Sequence, residues 1–131
     1  MSEDSTMYDR VGGEDFFEVL TRRFYDAVAK DAVLRPLYPE GEEAFEQARL
    51  HLQWFLIQYW GGPAVYGERR GAPQLRMRHV PFAIGLAERN AWFAHMSGAV
   101  RAAGLRPLDE AQMLGYFANA ANAMVNTTTD A

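Results

Sequence analysis

The 131-residue chain has no cysteine, which excludes disulfides, thiolate catalysis, zinc ribbons and thiolate-ligated iron. It also lacks any run of like charge, and its formal net charge is −4, so there is no electrostatic footprint for a nucleic acid. No apolar stretch approaches the roughly 18–20 residues of a membrane span. The opening Met1-Ser2-Glu3-Asp4-Ser5-Thr6 is polar and acidic, unlike the basic-then-apolar start of a secretory signal. The expectation is a protein of the cytoplasm. No histidine pair has the i, i+4 spacing of a helical metal site, and neither H-E-x-x-H nor E-x-x-H occurs. Ser97 sits in no nucleophile elbow, and no phosphate-cradling glycine motif precedes a lysine.

Aromatic residues are plentiful at 13%, with eight Phe, six Tyr and three Trp. They suit either a generously packed core or a large flat-walled cavity. The length fits one domain, with a flexible tail over 1–7, a folded unit over 8–126 and a second tail over 127–131. From Glu14, Phe16, Phe17, Leu20, Phe24 or Tyr25, Ala27 and Val28 recur at three- and four-residue steps, the pattern of a helix with one buried face. Ala32 to Arg35 predicts another turn or two, stopped by Pro36, and Leu37-Tyr38-Pro39 a corner. A second helix is expected from Glu42 to Trp60, with Ala44, Phe45, Ala48, Leu52, Phe55, Leu56 and Tyr59 along its stripe and Gly61-Gly62-Pro63 ending it. Nineteen residues make a rod of about 28 Å, long enough to wall a buried cofactor. Trp54, Ile57 and Trp60 extend the apolar surface of this helix toward more than one neighbour.

A glycine-rich connection then leads to Leu75-Arg76-Met77-Arg78-His79-Val80-Pro81-Phe82. A third helix is expected from Leu86 to Ala103, carrying Arg89, Trp92, Phe93, Met96, Ala99 and Val100, and a last one bears Met113, Phe117, Ala120, Ala121, Met124 and Val125. Asp109-Glu110-Ala111-Gln112 reads as its capping box, with Leu108 and Met113 as a hydrophobic staple. Four long helices without strand alternation give an all-α fold. A regular up-down bundle and a globin-like sandwich both fit, and the long irregular segment over 61–85 favours the sandwich.

Among the histidines, His51 falls at the edge of an apolar face and His95 among core positions, where a boundary or satisfied histidine is expected. His79 differs. It ends a loop instead of sitting in an amphipathic repeat, and its two arginine neighbours disfavour protonation, which leaves the neutral imidazole that binds metal. Tyr25, Tyr38 and Trp92 place hydroxyl and indole donors inside apolar patterns. Each can bury a ring and bond a carbonyl, or the three can converge on an anion or a ligand that takes on negative charge.

Phe24-Tyr25, Tyr38-Pro39-Glu40, Phe55-Leu56-Ile57-Gln58-Tyr59-Trp60-Gly61-Gly62-Pro63, Tyr66, the segment Leu75 to Phe82 and Ala91-Trp92 together resemble the truncated haemoglobins of group II, in register from Tyr8 to Asn126. The resemblance implies a two-over-two helical sandwich around haem b. It makes His79 the proximal iron ligand, Tyr25, Tyr38 and Trp92 the distal hydrogen-bond donors, and Ala48 and Leu52 the residues at the distal gate. Phe55, Leu56, Tyr59, Phe82, Phe93 and Met124 would be apolar walls, and Arg76, Arg78 and Tyr66 partners for the propionates. O2 and other diatomic ligands are the implied partners, with slow oxygen release and a poor fit to bulk carriage. Peroxidase or nitric oxide dioxygenase chemistry is the alternative. A reductase and a homodimer are left open as further partners.

Overall fold

The structure, a computed structural model, describes residues 5–64 and 84–125. Among these, five α-helices and one 3-10 turn form, and there is no strand. Helix α1 spans Met7–Val11, α2 Glu14–Ala29, α3 Glu42–Tyr59, α4 Leu86–Ala102 and α5 Pro107–Met124, with the 3-10 turn at Arg35–Leu37. Helix α2 packs on α3, α4 packs on α5, and α2 meets α4 between the two pairs. This is the two-over-two sandwich that the resemblance implies. No helix among the described residues is long and apolar enough to cross a membrane.

Helix α2 begins after two glycines with positive φ, Gly12 and Gly13, and its first-turn Glu14 and Asp15 suit the positive end of the helix dipole. Its buried stripe is Phe17, Leu20, Thr21, Phe24, Tyr25 and Val28. Phe24 and Tyr25 are both buried, where the sequence offered a choice between them, because the helix faces α3 on one side and α4 on the other. Thr21 satisfies its hydroxyl by donating to the Phe17 carbonyl at 2.9 Å.

The stripe of α3 differs from expectation in its first half. Ala44 is exposed, whereas Arg49 and Gln53 are buried. The Arg49 guanidinium donates to both carboxylate oxygens of Glu46 at 2.8 and 2.6 Å, to Thr21 Oγ1 at 3.1 Å and to Gln53 Oε1 at 2.7 Å. A buried charge is tolerated where it is paired and its donors are satisfied, so a polar node joins α2 to α3.

Two local expectations are corrected at the helix ends. Pro36 does not stop a helical turn but sits within the first turn of the 3-10 segment, where its fixed φ fits and its missing N–H costs nothing. The turn ahead of it is built by Asp31, whose Oδ1 accepts from the N–H of Val33 at 2.7 Å and of Leu34 at 3.2 Å. Helix α5 starts at Pro107, ahead of the expected capping box, and Leu108 is 86% exposed and staples nothing. Asp109 instead accepts from Arg10 at 3.1 Å and Arg106 at 3.3 Å. Half of such a box forms on α4, where Glu88 accepts from the Gly85 N–H at 2.7 Å.

Thr6 caps α1 by accepting from the Asp9 N–H at 3.1 Å, and Met7 is buried. The Tyr8 N–H donates to the Trp60 carbonyl at 2.9 Å, bringing the N-terminal segment across the end of α3. That crossing explains the paired glycines: a Cβ on Gly61 would lie 2.6 Å from Thr6, and one on Gly62 2.6 Å from Tyr8 and 2.7 Å from Ile57. No side chain fits in either place.

The node at Arg49 carries a test. Its hydrogen bonds hold the Glu46 carboxyl below the usual carboxylate range. A carboxyl depressed in the folded state stabilises above its unfolded pKa, about 4.3 for Glu, and loses that contribution as pH falls through the lower folded value. Glu46→Gln should lower stability to urea at pH 7 by about 1–2 kcal/mol, the exposure of Glu46 holding the figure down. The gap between wild type and variant should shrink as pH falls below the unfolded value; a gap that does not change with pH contradicts the pairing.

Candidate functional site

The described residues form a small, partly open cleft between the 3-10 corner, the start of α4 and the end of α5. Leu34, Leu37, Ile84, Ala121 and Met124 give it apolar walls, Tyr38 and Trp92 supply flat rings with polar tips, and Glu88 and Arg89 line it as charged groups.

Each wall is held from below. The corner that presents Leu37 and Tyr38 is clamped by Arg35, whose guanidinium donates to the carbonyls of Tyr38 and Pro39 at 3.3 and 2.9 Å and lies 4.3 Å from the centre of the Phe45 ring. The preceding turn is tied to α4 by His95, with Nε2 2.6 Å from Asp31 Oδ2, and this bond sets the Asp31 carboxyl below its ordinary range. Trp92, three residues before His95 on α4, rests against Phe24 of α2 at 5.4 Å and Phe117 of α5 at 6.0 Å between ring centres.

The three donors singled out in the sequence are brought together. Tyr25 meets Tyr38 edge to face at 5.4 Å, and Phe45 packs against both, at 5.0 and 6.1 Å. Desolvation pushes the Tyr38 phenol above its ordinary pKa, and the neighbouring Trp92 indole offsets part of the rise. The Tyr25 phenol is also pushed up, by burial first and the neighbouring Tyr38 second, with the Arg49 guanidinium pulling the other way. Both phenols are therefore neutral O–H donors across the physiological range.

Of the other residues expected at the site, Met124 lines the cleft. Leu56 and Phe55 are buried in the core, while Ala48, Leu52 and Phe93 are half-buried against it. Tyr59 is 51% exposed, its ring 4.2 Å from that of Tyr116. His79, Tyr66, Arg76, Arg78 and Phe82 lie outside the described residues. His51 is a boundary residue beside Trp54, at 5.7 Å between ring centres. No cluster of histidine and carboxylate among the described residues could hold a metal ion.

Leu34, Leu37, Ile84, Glu88, Arg89 and Ala121 were not marked as site residues in the sequence. For Arg89 a signal existed, since it stands three residues before Trp92 and so shares its helix face. Arg89 donates to Asn122 Oδ1 at 2.7 Å, but its buried Nε has no partner among the described residues. An unsatisfied buried donor is costly. A flat apolar cofactor with an anionic edge matches this site: the walls suit its rings, Arg89 offers a donor to a carboxylate, and the phenol and indole tips suit a small polar ligand. The residues present thus fit a haem.

The comparisons with known proteins agree. Residues 6–126 match the bacterial-like globin family. The group 2 truncated haemoglobin of Bacillus subtilis is 38% identical over 116 residues, covering 88% of this chain and 86% of that protein. A thermostable haemoglobin from the actinobacterium Thermobifida fusca is 50% identical and superposes with a TM-score of 0.91 over 95% of this chain and all of its own. The structure of a truncated oxygen-avid haemoglobin from Bacillus subtilis is 33% identical with a TM-score of 0.84, over 93% of this chain and all of its own. The chain belongs to the bacterial-like globins and, among them, to the group II truncated haemoglobins, a family whose members bind ligands through haem.

Proposed function

We propose that this protein holds haem b through His79 as the single protein ligand of a five-coordinate iron, and that it binds O2 and other diatomic ligands reversibly with slow release of oxygen. The observation that carries this reading is the convergence of Tyr25, Tyr38 and Trp92. Haem supplies the iron that takes up a diatomic ligand and shifts negative charge onto it. The chain supplies the rest. Trp92 N–H and the Tyr38 and Tyr25 hydroxyls are donors, and their neutrality at physiological pH keeps them so. The oxygen-avid relative from Bacillus subtilis supports the same behaviour here.

In this reading Phe55, Leu56, Phe82, Phe93 and Met124 exclude water from the cofactor, Ala48 and Leu52 leave the distal side passable, and Arg76, Arg78 and Tyr66, joined by Arg89, take the propionates. Tight retention makes the protein a poor bulk carrier and a better scavenger or sensor in the cytoplasm.

A second reading, a haem-dependent redox enzyme acting on peroxide or on nitric oxide with oxygen and supplied by a reductase, is favoured by one observation. The donors around the cleft are oxidisable rings in contact with one another. Turnover with nitric oxide or an electron donor, compared with the rate of autoxidation, separates the two readings.

Two substitutions test the assignments. Trp92→Phe keeps a ring and removes one donor worth about 1–2 kcal/mol, so oxygen release measured by stopped flow should quicken roughly tenfold. An unchanged rate would place the indole away from the ligand. His79→Ala should cost the protein its haem during gel filtration and shift the visible spectrum of what remains; full retention with an unaltered spectrum refutes its role as ligand.

A further inference from the structure

The chain from the end of α2 to the corner is one hydrogen-bonded unit centred on Asp31. The Asp31 N–H donates to the Val28 carbonyl at 3.0 Å, its own carbonyl accepts from the Arg35 N–H at 2.8 Å, and its Oδ1 accepts from Val33 and Leu34. Further along, the Leu37 N–H reaches the Leu34 carbonyl at 2.9 Å and the Tyr38 N–H the Arg35 carbonyl at 3.1 Å. Tyr38 is thereby joined to Asp31 through consecutive backbone bonds. The remaining carboxylate oxygen, Oδ2, leaves the unit and meets His95 Nε2 at 2.6 Å. His95 follows Trp92 by almost one turn of α4, and Trp92 is wedged between Phe24 and Phe117.

We infer that His95 and Asp31 are positioning residues for the distal donors: their bond sets the gap between the Tyr38 hydroxyl on the corner and the Trp92 indole on α4, and so decides whether one bound diatomic ligand receives both. The inference rests on the reading of Tyr38 and Trp92 as ligand donors.

Packing holds the Tyr38 ring against α2 and α3, through Tyr25 and Phe45. The tie from the corner unit to α4 is polar. Its bond to His95 and the backbone N–H groups keeps the Asp31 carboxyl below its ordinary range, and an ionised carboxylate only accepts, so His95 Nε2 carries the proton and donates. A bond to a charged acceptor is short and directional, which fixes the gap more narrowly than sliding apolar surfaces do. Both side chains keep some contact with water, at 30% and 19% exposure, so the pair adds little to stability and its main effect is on position. Without it the corner unit is free to move off α4, and the Tyr38 hydroxyl goes with it, while two rings keep Trp92 in place.

Stopped-flow release of oxygen and of carbon monoxide from the haem-loaded protein tests this. His95→Leu should quicken oxygen release roughly fivefold to tenfold, the worth of one weakened donor. Carbon monoxide takes on little negative charge, so it should leave at nearly the wild-type rate, with its stretching band moved to higher frequency. His95→Gln restores an N–H toward Asp31 and should return both readings to wild type. Asp31→Asn keeps the acceptor for Val33 and Leu34 but removes the anion, and should quicken oxygen release in the same direction. In a Tyr38→Phe background His95→Leu should add nothing. Equal acceleration of both gases, or an effect of His95→Leu undiminished in Tyr38→Phe, overturns the inference, since either reports only a loosened fold. Wild-type oxygen release in both His95→Leu and Asp31→Asn also overturns it and leaves the donor reading standing. The donor reading fails separately, in Tyr38→Phe alone, if that variant releases oxygen no faster than wild type.

Discussion

The contact between Phe24 and Trp92, where α2 meets α4, is the constraint on which the site depends. Phe24 has no exposed surface, and its ring lies 5.5 Å from Tyr25 and 5.4 Å from Trp92. One apolar side chain thus spaces two of the three donors, which sit on different helices and have no covalent reason to be close. Burying a phenylalanine is worth about 1.5–3 kcal/mol. Here that energy also fixes a geometry, since aromatic rings meeting edge to face resist sliding. The polar tips of the cleft are therefore placed by packing, and their hydrogen bonds are free for a ligand and for one another.

A second layer of support is ionic and lies further out. Asp31 organises the turn before the corner through two backbone N–H groups and is itself gripped by His95 of α4. Arg35 then closes the corner over its own carbonyls. On the other side Arg49 joins α2 to α3 beneath Tyr25. Such partly buried charges contribute modestly to stability. Their value is directional, because each ties the backbone of one wall to the helix that carries the opposite one.

The helices were legible because three- and four-residue apolar spacing leaves little alternative over sixteen or more residues, and all four long ones lie within a few residues of their expected bounds. Tyr25, Tyr38 and Trp92 were legible as donors set in apolar patterns, although their meeting is tertiary. What stayed hidden was polar. Arg49 in mid-helix reads as a solvated charge, and nothing local says that Thr21, twenty-eight residues earlier, will complete its shell. Asp109 resembled a cap because its neighbours have capping spacing, but a salt bridge to Arg10, ninety-nine residues away, took the carboxylate. Tyr59 fell on an apolar stripe, and only the approach of Tyr116 shows why a half-exposed ring is kept there. Local pattern reports burial well and long-range pairing poorly.

The crossing of the N-terminal segment over Gly61 and Gly62 has a consequence for how the chain is made. Tyr8 settles on the Trp60 carbonyl, and Arg10 finds its carboxylate at Asp109. Helix α1 therefore has its docking partner completed only when α5 has emerged, ninety-nine residues after Arg10. Chains are synthesised at roughly 5–20 residues per second, so for several seconds α1 waits beside a growing polypeptide with Met7 uncovered. Folding closes a ring between α1 and α5, and α1 completes its contacts only after α5 is made.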